Sequence, residues 1–211
     1  MQLYEKYRPQ RLAQVLGQPK AIASLRRMLD SARFDRGALW IDGPTGTGKT
    51  SIARAIAREL GADDWTTTEL DGDKCSVDAV RKIAETIGLS GWGGSPWRVW
   101  IINEAQAMTP RAVQAWLTLL EALPTNRLVV FTSTETRSDL FGTFTQPFQD
   151  RCASIRLTKQ GLNSTFARFV HKVASREDLN GYPAEKYLRL AQDCRNSCRA
   201  MLQAVDMGQM A

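Results

Sequence analysis

The chain has 211 residues and only one histidine, His171; its four cysteines, Cys75, Cys152, Cys194 and Cys198, form no CxxC pair. A lone imidazole on a helical stretch argues against Ser-His or Cys-His nucleophilic catalysis. Cys194 and Cys198 stand one helical turn apart, but a zinc site needs two further Cys or His ligands, so no Cys/His metal site is expected. Four cysteines are also too few for a disulfide framework, and the expectation is reduced thiols in a cytoplasmic protein. Long apolar runs are missing: Val99 to Ile102 and Leu128 to Phe131 fall far short of the roughly 20 residues that span a bilayer. Residues 1–20 lack the apolar stretch of a secretory signal. Internal repeats and low-complexity tracts are absent too.

What remains is ordinary in amount and informative in order. The length corresponds to about one large domain, or one domain with a small appendage, and is ample for a core without staples. Hydrophobic residues at 43% and charged residues at 24% are those of a globular protein. A net charge of +6, carried mostly by arginine, permits a polyanionic partner without requiring one.

Along the chain, apolar runs alternate with helical patterns, which is the order of an α/β domain. Strands are expected at Ala38–Asp42, Trp65–Leu70, Arg98–Asn103, Arg127–Ser133 and Ala153–Leu157. Helices are expected at Ser51–Leu60, Ser76–Ile87 and Pro110–Leu123, the last with proline in its first turn. A Gly-rich bend spans residues 88–97. After Lys159 the pattern changes to three helical segments, Asn163–Ala174, Pro183–Asp193 and Ser197–Met207. The division expected is a core over residues 1–159 and a small helical domain over 160–211.

Gly43-Pro44-Thr45-Gly46-Thr47-Gly48-Lys49-Thr50 fulfils every fixed position of the phosphate loop GxxxxGK[ST]. It lies where the mechanism needs it, between an apolar strand and a helix that starts near Ser51. Glycines let backbone N–H groups turn inward around phosphates, and the helix start adds partial positive charge. Lys49 would reach the β- and γ-phosphates of ATP and the Thr50 hydroxyl would ligate Mg²⁺. Such a loop needs an acidic strand end beside it. Val99-Trp100-Ile101-Ile102-Asn103-Glu104 supplies one, with Glu104 placed as general base. Asn103 stands where an Asp is usual, keeping an acceptor oxygen for the metal side but losing the charge.

With these motifs, four more segments resemble the AAA+ ATPases, and within them the clamp loaders (replication factor C small subunits and the bacterial gamma/tau subunit). Tyr4-Glu5-Lys6-Tyr7-Arg8-Pro9 and Val15-Leu16-Gly17-Gln18 are similar to the family's N-terminal box, which implies that Tyr7, Arg8, Pro9, Val15 and Leu16 flank the adenine. Ser133, or its neighbour Thr132, falls at the sensor-1 position. Asp150-Arg151-Cys152 is similar to the Ser-Arg-Cys motif, whose Arg acts in trans on a neighbouring subunit's γ-phosphate; a loop containing Pro147 is expected between the strand ending at Ser133 and Arg151, which would let Arg151 project from the domain edge. Asn196-Ser197-Cys198-Arg199 is similar to Gly-Asp-x-Arg, whose Arg is sensor 2 in the lid. The resemblance implies a P-loop three-layer core with a parallel sheet, an all-helical lid, and ATP hydrolysis with Mg²⁺. It assigns catalysis to Glu104, Lys49, Arg151, Ser133 and Arg199. It also implies assembly with further subunits, a sliding clamp and primer–template DNA. By the same resemblance, Val77 to Ile83 begins the helix that lines a DNA channel, which makes Arg81, Lys82 and Arg111 candidates for phosphate-backbone contacts; a solvated helix face is the other reading. Trp92 and Trp97 read as packing residues.

The departures are Asn103 for Asp, Asp150 for Ser, Asn196-Ser197 for Gly-Asp, and no four-cysteine zinc module. The family's collar domain does not follow within these 211 residues, so a different mode of assembly or a reduced or truncated member is expected. Another AAA+ DNA ATPase, in branch migration or fork maintenance, remains an alternative, as does a weakly hydrolysing nucleotide-dependent adaptor. With Asn103 in place of Asp, hydrolysis is expected to be slow, and Asn103→Asp is expected to tighten Mg²⁺ and raise the steady-state rate of phosphate release.

Overall fold

A computed structural model describes residues 1–88, 95–134, 145–179 and 181–209. Trp92 and the middle of the Gly-rich bend lie outside the described residues. Five strands form one parallel sheet: β1 (Arg36–Asp42), β2 (Thr67–Asp71), β3 (Arg98–Asn103), β4 (Arg127–Ser133) and β5 (Ala153–Arg156), in the order β2-β3-β4-β1-β5. β4 is buried along its whole length, as a central strand covered on both faces must be.

The two-residue period of the strands divides the core. Ala38 and Trp40, Trp100 and Ile102, Val129 and Phe131 face one layer, where they meet α4 (Val77–Ile87) and α5 (Pro110–Glu121). Their neighbours Leu39 and Ile41, Val99 and Ile101, Leu128 and Val130 face α2 (Pro19–Leu29) and α3 (Lys49–Glu59). Three of these helices, α2, α4 and α5, carry a start signal in their sequence. Ser76 accepts from the Ala79 N–H ahead of α4, and Thr109 accepts from the Ala112 N–H ahead of α5. Pro19 and Pro110 occupy first-turn positions, where a missing N–H costs nothing.

The three segments after Lys159 are α7 (Asn163–Arg176), α8 (Ala184–Asp193) and α9 (Cys198–Asp206), with a separate core of Phe166, Val170, Tyr187, Met201 and Leu202. Leu3 of the short α1 (Leu3–Lys6) is buried in that same core, and its N–H donates to Asp206 Oδ2 at 3.3 Å. The amino terminus therefore packs with the last helices. No helix among the described residues is long and apolar enough to cross a membrane.

Several elements differ from the sequence expectation, and α2 was not expected at all. α3 begins at Lys49, two residues early, because Gly48 takes the cap position in a left-handed conformation (φ 92°). The stretch before Arg151, expected as a loop containing Pro147, is the helix α6 (Thr145–Arg151). Proline is tolerated at its third residue because the first N–H groups of a helix have no intrahelical partner. Phe148 anchors α6 with its ring 4.8 Å from Phe131 and 5.7 Å from Trp40.

The segment joining sheet to terminal helices is held by buried Gln18, which is 3% exposed. Its Nε2 donates to Thr158 O at 2.7 Å, and its Oε1 accepts from Thr158 N at 3.2 Å. Both ends of the amide are satisfied by one residue of the connection. Gln18→Ala is expected to lower stability by about 1–2 kcal/mol, read as a lower urea midpoint with faster proteolysis near residue 158.

Candidate nucleotide site

β1 ends level with its neighbours, Asp42 opposite Ser133 of β4 and Arg156 of β5. The chain then turns through the phosphate loop, pinned at its start where Gly43 N–H donates to Ser133 O at 3.2 Å. Gly46 and Gly48 hold φ values of 82° and 92°, which side-chain-bearing residues rarely adopt. α3 follows with no side-chain cap, unlike α4, α5 and α9. Its first N–H groups therefore have no side-chain oxygen in the way of an anion. Lys49 is 6% exposed and donates from Nζ to the loop's own carbonyls, Gly43 O at 2.8 Å and Pro44 O at 3.3 Å. Burial lowers its pKa, while Glu104 and Asp42 nearby oppose the shift.

Oxygen donors gather beside the loop. The Thr50 hydroxyl donates to Asn103 Oδ1 at 2.8 Å, and the Thr132 hydroxyl donates to the same oxygen at 3.2 Å. Asn103 Nδ2 donates to Glu69 Oε1 at 2.6 Å. Glu69 Oε2 accepts from Arg54, with Nε at 2.8 Å and Nη2 at 2.6 Å. Glu104 is left-handed at φ 48° although it is not glycine, a backbone strain of the kind stored at functional sites. Gly72 lies against the Glu104 carbonyl and leaves no room there for a side chain. The Glu104 carboxylate accepts from Gln106 Nε2 at 2.5 Å, and the same nitrogen reaches Thr134 Oγ1 at 2.9 Å. Among the described residues no three His, Cys, Asp or Glu side chains form a metal cage. An all-oxygen set of Thr50 and nearby amide and carboxylate groups fits Mg²⁺ held jointly with phosphates, since that ion keeps much of its water.

All of this opens into a cavity of about 780 Å³ that also takes in the amino-terminal segment and α9. Tyr7, Arg8, Pro9, Val15 and Leu16 line it together with Thr45, Gly46, Thr47, Gly48, Lys49, Thr50 and Ser51, Asn103, Glu104 and Arg199. The Arg199 guanidinium lies 4.6 Å over the Tyr4 ring. Arg8 has its pKa lowered, first by burial and then by repulsion from Arg54, with Arg199 adding to it. Tyr7 is tied to the end of α7: its hydroxyl donates to Glu177 Oε1 at 2.5 Å, and Lys6 Nζ reaches the two carboxylate oxygens at 2.7 and 2.8 Å. These bonds hold the Glu177 carboxyl below its ordinary value. The turn before α9 rests on the phosphate loop itself, since a Cβ at Gly46 would lie 2.5 Å from Ser197 Oγ.

Other expected site residues lie elsewhere. Gly43 and Pro44 face Lys49 with their carbonyls and do not line the cavity. Ser133 is fully buried, and the hydroxyl that reaches Asn103 is that of Thr132, the other sensor-1 candidate. Arg151 does not project freely. Its guanidinium pairs with Glu121 at the end of α5 and donates to Pro147 O at 2.7 Å. Arg81 and Arg111 border a second groove of about 760 Å³ between α4 and α5, with Lys82 exposed nearby. Trp97 stacks on Phe34 at 5.5 Å. Arg54, Glu69 and Gln106 were missed by sequence reasoning. Arg54 follows Thr50 by one helical turn, and Glu69 precedes Asp71 by one strand period; both spacings were legible but belong to no motif.

Residues 39–159 match the family described as ATPase family associated with various cellular activities (AAA). The chain is 33% identical over 178 residues to the replication factor C small subunit of Halobacterium salinarum, covering 83% of this chain and 53% of that protein. The protein of the same name from Archaeoglobus fulgidus is 28% identical over 214 residues, covering 98% of this chain and 64% of its own length. The chain thus spans about half to two thirds of the length of these curated relatives. The fold is similar to that of the Thermotoga maritima RuvB Holliday junction branch migration motor, with a TM-score of 0.74 at 18% identity, over 94% of this chain and 64% of that one.

The Gly46–Ser197 contact gives a direct test of how the last helices bear on the loop. Gly46→Ala strains a left-handed residue, at about 1–2 kcal/mol, and pushes the Ser197 turn away. The expected result is a small loss in urea stability with a large loss in nucleotide affinity by calorimetry; equal affinity would mean the turn yields freely.

Proposed function

The chain belongs to the AAA family of ATPases, and from that premise we propose that it is a clamp-loader-type ATPase module that couples ATP binding and hydrolysis to assembly on DNA. One observation carries this reading: the phosphate loop, the amino-terminal box and Arg199 line a single cavity with Glu104 at its edge. Residues 1–159 act as the nucleotide-binding core and 160–211 as the lid, with α1 returning to pack on the lid.

In this reading the triphosphate takes the uncapped start of α3 and draws Lys49 from the carbonyls of Gly43 and Pro44. Tyr7, Arg8, Pro9, Val15 and Leu16 flank the base, and Arg199 brings the lid to the phosphates. Mg²⁺ beside Thr50 and Asn103 supplies charge neutralisation at the phosphates. Glu104, steadied by Gln106, takes a proton from water as its oxygen bonds to the γ-phosphorus and the bond to the bridging oxygen breaks. Arg151 completes the site of a neighbouring subunit, and Arg81, Lys82 and Arg111 face the DNA backbone. A sliding clamp is the substrate of the assembly. The weakly hydrolysing adaptor is the second reading, favoured by the pairing of Arg151 with Glu121 inside its own chain.

Two measurements test the proposal. Lys49→Ala is expected to weaken ATP binding by about 1.5–3 kcal/mol, the range for a hydrogen bond to a charged group; unchanged calorimetric affinity would remove the phosphate-site assignment. Arg151→Ala is expected to leave ATP binding by an isolated subunit intact but to lose roughly 10³–10⁵ in assembly-stimulated hydrolysis. Mixed with Glu104→Gln it should regain partial activity, because each variant supplies what the other lacks. Co-assembly without regained activity would favour the adaptor.

A further inference from the structure

Asn103 sits where a carboxylate is expected, and its surroundings explain why an amide can stand there. Its Oδ1 accepts from two hydroxyls, Thr50 at 2.8 Å and Thr132 at 3.2 Å. A flipped amide would set its oxygen against the acceptor-only carboxylate of Glu69, so the amide is oriented by its partners. The Nδ2 end then meets Glu69 Oε1 at 2.6 Å. Glu69 is positioned by sheet register: Asp71 pairs with Asn103 across β2 and β3, and Glu69 lies one pleat earlier on the same face of β2. That face meets α3, whose Arg54 holds the second Glu69 oxygen at 2.8 and 2.6 Å.

We propose that Glu69 supplies the negative charge of the magnesium shell, relayed through the neutral Asn103 amide to the Thr50 hydroxyl. The inference rests on the nucleotide reading above and assigns the missing charge to a residue outside its motifs. Because Thr50 donates its proton to Asn103, its lone pairs are left for a cation. The relay also fixes how many charges this corner can hold. An aspartate at position 103 would turn a carboxylate oxygen toward Glu69 Oε1 across what is now a 2.6 Å hydrogen bond. Two like charges at that separation repel, and Arg54 already serves the other oxygen. Within the chain from Arg54 to Thr50 one carboxylate fits, at 69 or at 103, and it stands at 69. The expectation from sequence that Asn103→Asp tightens Mg²⁺ is therefore reversed in sign.

The test compares the wild-type protein, Glu69→Gln, Asn103→Asp and the double exchange Glu69→Gln/Asn103→Asp. Binding of a fluorescent ATP analogue is titrated in EDTA and in Mg²⁺, and Mn²⁺ bound to each protein–nucleotide complex is counted by electron paramagnetic resonance. Glu69→Gln should weaken the bound cation roughly tenfold to a hundredfold, the range for partners behind a metal's ligands, with no loss of nucleotide affinity in EDTA. Asn103→Asp alone should weaken it as well. The double exchange, which moves the single charge to position 103, should return the cation affinity toward that of the wild type. The proposal is overturned by a Glu69→Gln protein with wild-type cation affinity, by Asn103→Asp alone tightening the cation, or by a double exchange no better than Glu69→Gln. If Glu69→Gln does not fold, the sign of the Asn103→Asp effect decides. A wild-type protein that binds no nucleotide in EDTA or Mg²⁺ removes the nucleotide reading itself, a result distinct from any of these.

Discussion

β1, β4 and β5 end at one level, with Asp42 opposite both Ser133 and Arg156, and the phosphate end of the molecule hangs from that register. A slip of one residue would exchange the faces of β1, sending Trp40 toward α2 and α3 and Ile41 toward α4 and α5. Trp40 cannot make that exchange, because Phe131 and Phe148 hold its ring from the α5 side at 6.1 and 5.7 Å. Locked there, the strand delivers Gly43 to the Ser133 carbonyl and starts α3 at Lys49. The same level brings Thr132 and Asn103 together across β4 and β3. Core packing on one face of the sheet thus decides where hydroxyls, amide and lysine meet at its edge.

The cavity above that edge is short of negative charge. Lys49 is buried, and Arg8 is destabilised as a cation by burial and by Arg54 and Arg199. Glu69 is shared between Arg54 and Asn103, and Glu104 is engaged by Gln106. A polyanion at this edge would relieve the repulsion among these cations. The lid takes part through contacts rather than through bulk charge. Ser197 rests against Gly46, and Glu177 fixes Tyr7 and Lys6, so the phosphate loop and the base-side residues each touch a different part of the terminal helices.

Legibility in the sequence followed the range of each interaction. β3 and β4 were readable to the residue, because a buried strand is a contiguous apolar run with turns at both ends. α4 was readable because its cap and its stripe of Val80, Ile83 and Ile87 are local. α2 was missed: it fully buries only Ala21 and Leu25, and its other positions include Lys20, Arg26 and Arg27. α6 was read as a loop containing Pro147, although Phe148 beside it is the residue that docks the helix. Within the site, the loop and Glu104 were visible as motifs, whereas the Arg54–Glu69–Asn103 chain joins three elements whose relative facing no local pattern encodes. Asn103 was noticed as a departure, but its partner was not.

Arg151 shows the same limit and carries a consequence for the proposed assembly. Sequence order sent it outward; the structure turns it back onto Glu121, with its side chain 28% exposed and that of Glu121 59% exposed. An ion pair open to solvent on one side is worth only about 0–1 kcal/mol, so it orients the guanidinium without locking it. A γ-phosphate presented by a neighbour carries more charge and more acceptor oxygens than one carboxylate, and Arg meets it with the same planar fork. Exchange of Glu121 for that phosphate would therefore run downhill while ATP is intact. Once the γ-phosphate leaves, the nearest carboxylate is again Glu121, and the interface loses the contact that favoured it. A weak pair within the chain is in this way compatible with a strong, nucleotide-dependent one between chains, and it gives the proposed finger a resting place on Glu121.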